Sequence, residues 1–133
     1  MKYMLDTNIC IFIIKNKPQR VLEHLKDKRA DGLAISAIAL AELAHGVAAS
    51  AFPERNALAL VQFTVIAKCL PFSHKAAAEH GKIRANLQRH GTPIGALDTL
   101  IAAHAKSEGL TLVTNNKRAF ERVAGLALED WAV

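Results

Sequence analysis

Two cysteines, Cys10 and Cys69, leave nothing for a disulfide framework, and neither has the close Cys or His partner that a zinc site needs. Aromatic residues are scarce as well: five Phe, Tyr3 and Trp131. So few rings argue against the extended base stacking of single-strand binders. No apolar run approaches the roughly 18 residues of a membrane span. The opening Met1-Lys2-Tyr3-Met4-Leu5-Asp6 lacks a signal-peptide shape, because an acid interrupts it early, and a cytoplasmic location is expected. Phosphate-cradling GxxxxGK and GxGxxG motifs are missing, which removes support for a nucleotide-binding module. Acids are in deficit too: 12 Asp and Glu face 17 Lys and Arg, a net charge of +5. That balance is compatible with a nucleic-acid partner without proving one. What remains is an ordinary globular composition, 51% apolar and 22% charged over 133 residues, which suits one domain spanning 1–133.

The elements alternate. Lys2–Leu5 reads as a short buried strand, followed by a helix over Ile9–Ile14 that Thr7 or Asn8 can cap. Pro18 opens a second helix, and Gly32 ends it. Leu33–Ile35 is a second strand. Ser36 caps the helix Ala37–Ala49, which is apolar or small almost all round and is therefore expected to be buried. Pro53 starts a helix reaching about Lys68, and Leu70-Pro71-Phe72 reads as an edge segment. Ser73 caps a helix running to about Arg89, Gly95–Ser107 is another, and Leu110–Thr114 is the clearest strand. A short helical piece containing Phe120 follows Asn115-Asn116. This alternation predicts an α/β fold with a mainly parallel central sheet flanked by helices. In such sheets the active crevice lies at the carboxyl ends of the strands.

Three acids stand out. Asp6 ends the first strand, Glu42 is the one charged residue in Ala37–Ala44, and Asp98 is the one charged residue in Ile94–Ala103. No Lys or Arg lies within a helical turn of Glu42 or Asp98. Taken singly, each has a bland explanation: a helix cap, a distant ion pair or a solvated face. Taken together they form a set of unpaired carboxylates, costly to gather unless a divalent cation neutralises them. Oxygen ligands of this kind suit Mg²⁺ or Mn²⁺.

Four stretches then carry a resemblance. They are Met4-Leu5-Asp6-Thr7-Asn8, Ser36–Gly46 around Glu42, Asp98–Ala103, and Leu112-Val113-Thr114-Asn115-Asn116, with Phe120 and Glu129-Asp130-Trp131 beyond. In this order they resemble the PIN-domain ribonucleases, among them the VapC-type toxins of bacterial toxin–antitoxin pairs. The resemblance implies a Rossmann-like PIN fold, a Mg²⁺ or Mn²⁺ cofactor and endoribonuclease activity on structured RNA such as tRNA. It also implies a homodimer and a VapB-like antitoxin. It places Asp6, Glu42 and Asp98 on the metal and Asn116 at a fourth catalytic position that is often Asp in the family. Asn8, Thr114 and Asn115 would orient the carboxylates. Many relatives carry an acid where Ala119 stands before Phe120, so the acidic set is thin here.

Basic residues would hold the RNA. Lys75, Lys82 and Arg89 recur every seven positions on one helix, Arg84 lies to one side, and Lys117 and Arg118 follow the last strand. A solvated helix face explains the same lysines. Surplus apolar groups in Ile9–Ile14, Val21–Leu25 and Leu58–Ile66 suggest a groove for an antitoxin or a dimer face. By family analogy an antitoxin arginine would neutralise the carboxylates. Two alternatives stay open. Asn116 and Ala119 keep alive a PIN-like DNA nuclease or a weakened RNA-binding relative. A non-enzymatic receiver-type Mg²⁺-binding module is the other, although it would want adjacent acids after the first strand, where Asp6 stands alone.

Overall fold

Short apolar runs set the centre of the molecule. In the computed structural model, which describes all 133 residues, five parallel strands lie in the order β3-β2-β1-β4-β5. They are β1 (Tyr3–Leu5), β2 (Leu33–Ser36), β3 (Lys68–Leu70), β4 (Thr111–Val113) and β5 (Leu128–Glu129). Side chains alternate across the sheet. Tyr3, Leu5, Leu33, Ile35 and Val113 point into one layer, with Ile9, Cys10, Ile13, Val21, Phe63 and Trp131. Met4, Ala34 and Leu112 point into the other, with Ile83, Leu87, Ile101 and Phe120. Both faces of the central strands are covered, which is why Tyr3–Leu5 and Leu33–Ile35 read as unbroken apolar runs.

The helices are α1 (Thr7–Ile14), α2 (Gln19–Lys28), α3 (Ala37–Ala48), α4 (Pro53–Ile66), α5 (His74–Arg89), α6 (Ala96–Ser107) and α7 (Lys117–Phe120). The chain builds outward from β1 through β2 to β3. It then returns to pair β4 with the other side of β1, in the register Tyr3↔Thr111 and Leu5↔Val113. The strand order therefore reverses between β1 and β4, and Asp6 is the first residue past that point.

Several expectations need correction. Asp6, rather than Thr7 or Asn8, occupies the cap position of α1, and its carboxylate accepts the Thr7 N–H. The third strand ends at Leu70 instead of including Pro71 and Phe72; a proline has no N–H to give the ladder, and it favours extended backbone just before it. That earlier strand also stops α4 at Ile66, with Ala67 already extended. Helix α3 is not buried all round: only Ala39 and Leu43 are. Its alanines and glycine cost little when exposed, and each buried residue joins a different core layer, so α3 straddles the sheet edge. The strand β5 has no counterpart in the sequence reading. No helix is long and apolar enough to cross a membrane.

Candidate active site

Asp6 is 5% exposed, and both its oxygens are held. The Thr7 N–H donates to Oδ1 at 2.8 Å, and the Thr114 hydroxyl donates to Oδ2 at 2.8 Å. Thr114 is itself fully buried and accepts the Asn116 N–H at 3.0 Å. The carboxylate is thus fixed from β1's own helix start and from the end of β4. Thr7 does a second job. Its hydroxyl donates to Glu42 Oε1 at 2.7 Å, so one residue orients carboxylates from α1's cap and from α3. The sequence offered Thr7 only as a cap; for its bond to Glu42 the one signal was a hydroxyl directly after Asp6 in the first helical turn.

Asp98 sits in the first turn of α6, half-buried. The helix cap there is Gly95, and a Cβ on it would lie 3.2 Å from Asp98 Oδ2, so a bare α-carbon leaves the carboxylate its place. Burial raises the Asp98 pKa, and the charge of Glu42 raises it further. Burial likewise raises that of Asp6, against the Thr114 and Thr7 hydrogen bonds, with added repulsion from Asp98 and Glu42. The three acids therefore share one electrostatic neighbourhood. The ion pairs of the fold, Lys28–Glu129 and Lys106–Glu79, involve none of them.

No three His, Cys, Asp or Glu side chains converge closely enough to enclose an ion directly. The donor set still fits a hard cation. All its groups are carboxylates, they lack a basic partner, and their mutual repulsion would be relieved by positive charge. Mg²⁺ keeps several waters and needs only one or two direct carboxylates, so it tolerates such spacing.

Asp98 makes no hydrogen bond that an amide would break, so neutralising it removes strain from the fold. In metal-free buffer at pH 7, Asp98→Asn should melt roughly 2 °C higher than the unaltered chain. The raised folded pKa means the charge costs stability above that pKa, and the cost disappears as pH falls toward 3.8. Thermal melts at pH 7 and at pH 3.5 check this; an unchanged or lowered midpoint at pH 7 contradicts it.

The remaining expected residues divide. Asn116 is exposed, and its backbone rather than its side chain joins the Thr114 relay. Asn8 and Asn115 hydrogen-bond each other rather than a carboxylate: the Asn8 amide donates to Asn115 Oδ1 at 3.4 Å, both exposed. Lys117 and Arg118 open α7 just past the end of β4, on the carboxylate side. Helices α5 and α6 form an antiparallel hairpin, in which Glu79 meets Lys106 at one end and Arg84 and Gln88 flank Ala96 and Thr99 at the other. Arg84 and Arg89 consequently lie toward the Asp98 end. Lys75 lies at the far end, and Lys82 lines a shallow groove with Glu79, Asn86 and Lys106. All six cations are exposed. Beside Glu42 a mainly apolar groove of about 390 Å³ runs between α1, α3 and α4, lined by Ile11, Ile14, Lys15, Leu43 and Leu60 among others.

Residues 3–126 match the PIN domain as a family. Along 99% of both chains, the sequence is 48% identical to the tRNA(fMet)-specific endonuclease VapC of Shigella flexneri. Among solved structures, VapBC2 from Rickettsia felis bound to a promoter DNA fragment contains a chain that superposes with a TM-score of 0.93 at 41% identity, covering 98% of this chain and 99% of that one. DNA-bound VapBC from Salmonella typhimurium gives 0.93 at 46% identity, covering 98% of each chain. An all-parallel sheet, acids gathered where its strand order reverses, and this degree of likeness have one reading. The chain belongs to the PIN-domain family, on its VapC branch.

Proposed function

We propose that this chain is a divalent-cation-dependent endoribonuclease toxin that cuts tRNA and is silenced by a VapB-like antitoxin. The observation that carries the reading is the shared field of Asp6, Glu42 and Asp98, three carboxylates of which none forms an ion pair. These three would hold Mg²⁺ or Mn²⁺, directly or through its water shell. Such a cation, when bound, withdraws charge from a phosphoryl oxygen and makes water more acidic.

The chain's own groups do the rest. Thr7 and Thr114 lock the Asp6 carboxylate so that it cannot rotate away. Thr7 also fixes Glu42. One of the three carboxylates takes the proton of the water that attacks phosphorus. Arg84, Arg89, Lys117 and Arg118 contact phosphates on either side of the scissile bond, which makes binding salt-dependent. The apolar groove beside Glu42 seats the antitoxin segment, close enough for a basic antitoxin side chain to reach the carboxylates.

Incubating the purified chain with initiator tRNA(fMet), bulk tRNA and duplex DNA, with Mg²⁺, Mn²⁺ or EDTA, tests the reading. Cleavage of tRNA in either metal, abolished by EDTA, is expected. Cleavage of DNA in preference to RNA, or equal cleavage in EDTA, would overturn it. Thr7→Val keeps the shape and removes the hydroxyl, so turnover should fall about tenfold with little loss of stability. Steady-state kinetics on the same tRNA decides; an unchanged kcat would remove the orienting role of Thr7.

A further inference from the structure

Glu42 and Asp98 belong to different halves of the chain, on α3 and α6. Something must fix the distance between these helices. One buried side-chain hydrogen bond joins them: His104 Nδ1 to Ser36 Oγ, 2.7 Å, with both residues fully buried. Ser36 Oγ is also the cap of α3, accepting the Ile38 N–H at 3.1 Å. The Pro71 carbonyl favours a proton on the far ring nitrogen, Nε2, which leaves Nδ1 to accept from the Ser36 hydroxyl. Nε2 has no partner at full hydrogen-bond geometry, only the nearby Pro71 carbonyl, and the ring meets Phe72 edge-on, 5.4 Å between centroids. A buried polar atom so weakly satisfied is a standing cost to the fold. A leucine at this position would avoid it.

The placement gives the cost a purpose. Ser36 precedes Glu42 by six positions, and Asp98 precedes His104 by six. Each carboxylate therefore stands about 9 Å along its helix from the bond. Helix α3 leaves the carboxyl end of β2, whereas α6 leads back to the amino end of β4, so they run in opposite directions. Both acids fall on the same side of the bond, at matched heights. We propose that His104 is a positioning residue: its bond to Ser36 sets the spacing of Glu42 and Asp98, and with it the grip on a divalent cation and the rate of cleavage. This rests on the proposed metal-dependent nuclease reading.

Two substitutions separate positioning from mere packing. His104→Asn offers Oδ1 to the Ser36 hydroxyl in place of Nδ1, yet leaves a void and a buried amide. His104→Leu fills apolar space and cannot accept the bond. A packing role predicts that the leucine variant outperforms the asparagine variant. Positioning predicts the reverse in function: His104→Leu loses about tenfold in Mn²⁺ affinity and about tenfold in kcat with KM held within about twofold. His104→Asn stays within about threefold of the unaltered chain on both measures, although it melts lower. Mn²⁺ binding is read by calorimetry on protein alone, without RNA. Should His104→Leu not fold, Ser36→Ala breaks the same bond and should show the same losses. If His104→Leu keeps both its kcat and its Mn²⁺ affinity, or if the asparagine variant is impaired as much, the positioning role is wrong while the nuclease reading stands. An unaltered chain that binds no Mn²⁺ overturns both.

Discussion

Asp6→Asn should cleave tRNA at least about a thousandfold more slowly than the unaltered chain, about 4 kcal/mol of lost transition-state stabilisation, while folding normally. The substitution keeps the shape of a buried side chain. One amide oxygen still accepts the Thr7 N–H, and the Thr114 hydroxyl can turn to accept from the new amide, since its donor bond to Asp6 is the one that changes. What disappears is the negative charge at the reversal point of the sheet, the one acid with both oxygens locked in place. Removing charge from a desolvated site also relieves repulsion with Asp98 and Glu42, so no collapse of the fold is expected. Gel-based cleavage assays with circular dichroism melts on the same sample decide the matter. A folded Asp6→Asn that retains more than about a tenth of the activity would exclude Asp6 from the chemistry.

Trp131→Ala has the largest expected effect on stability, a loss of about 3–5 kcal/mol, a large share of what a domain of this size possesses. Trp131 is fully buried although it is the third residue from the end of the chain. Its ring meets Tyr3 of β1 edge-on at 5.4 Å and stacks on His24 of α2 at 5.8 Å. Its indole N–H donates to Glu129 Oε1 at 3.0 Å, and the same oxygen pairs with Lys28 at 2.9 Å. Truncation opens a void beside the central strand and unfastens β5. The damage reaches the site, because the Thr114 N–H donates to the Glu129 carbonyl, and Thr114 holds Asp6. Urea denaturation with and without the substitution measures the loss. A change below about 1 kcal/mol would mean that the chain end is not part of the core.

Much of this architecture was legible in the sequence for a simple physical reason. Strands buried on both faces read as apolar stretches, as Tyr3–Leu5 and Leu112-Val113 do, and an acid that interrupts such a stretch stands out. Asp6 was visible as the acid that ends a strand, and Glu42 and Asp98 because alanine-rich helices offered them no basic neighbour. What stayed hidden depends on the third dimension. The link from Thr7 to Glu42 spans 35 positions, and the bond from Ser36 to His104 spans 68. No periodicity announces either. Strand β5 covers only Leu128–Glu129, too short to show an alternation, and exists because the edge of β4 is there to pair with. Composition misled at α3, where small residues suggested burial. Alanine is equally at ease in solvent, and the helix uses that freedom to border a groove. The basic stripe Lys75, Lys82 and Arg89 is real in helical phase, yet the α5–α6 hairpin spreads its members from the far end to the Asp98 end.

The central claim is that Asp6, Glu42 and Asp98 serve one divalent cation between them. Titrating the metal-free chain with Mn²⁺ and following the free ion by electron paramagnetic resonance tests it most directly. The account predicts one strong site per chain, weakened about tenfold or more by each of Asp6→Asn, Glu42→Gln and Asp98→Asn alone. Binding that survives all three single substitutions unchanged, or no strong site in the unaltered chain, would contradict it.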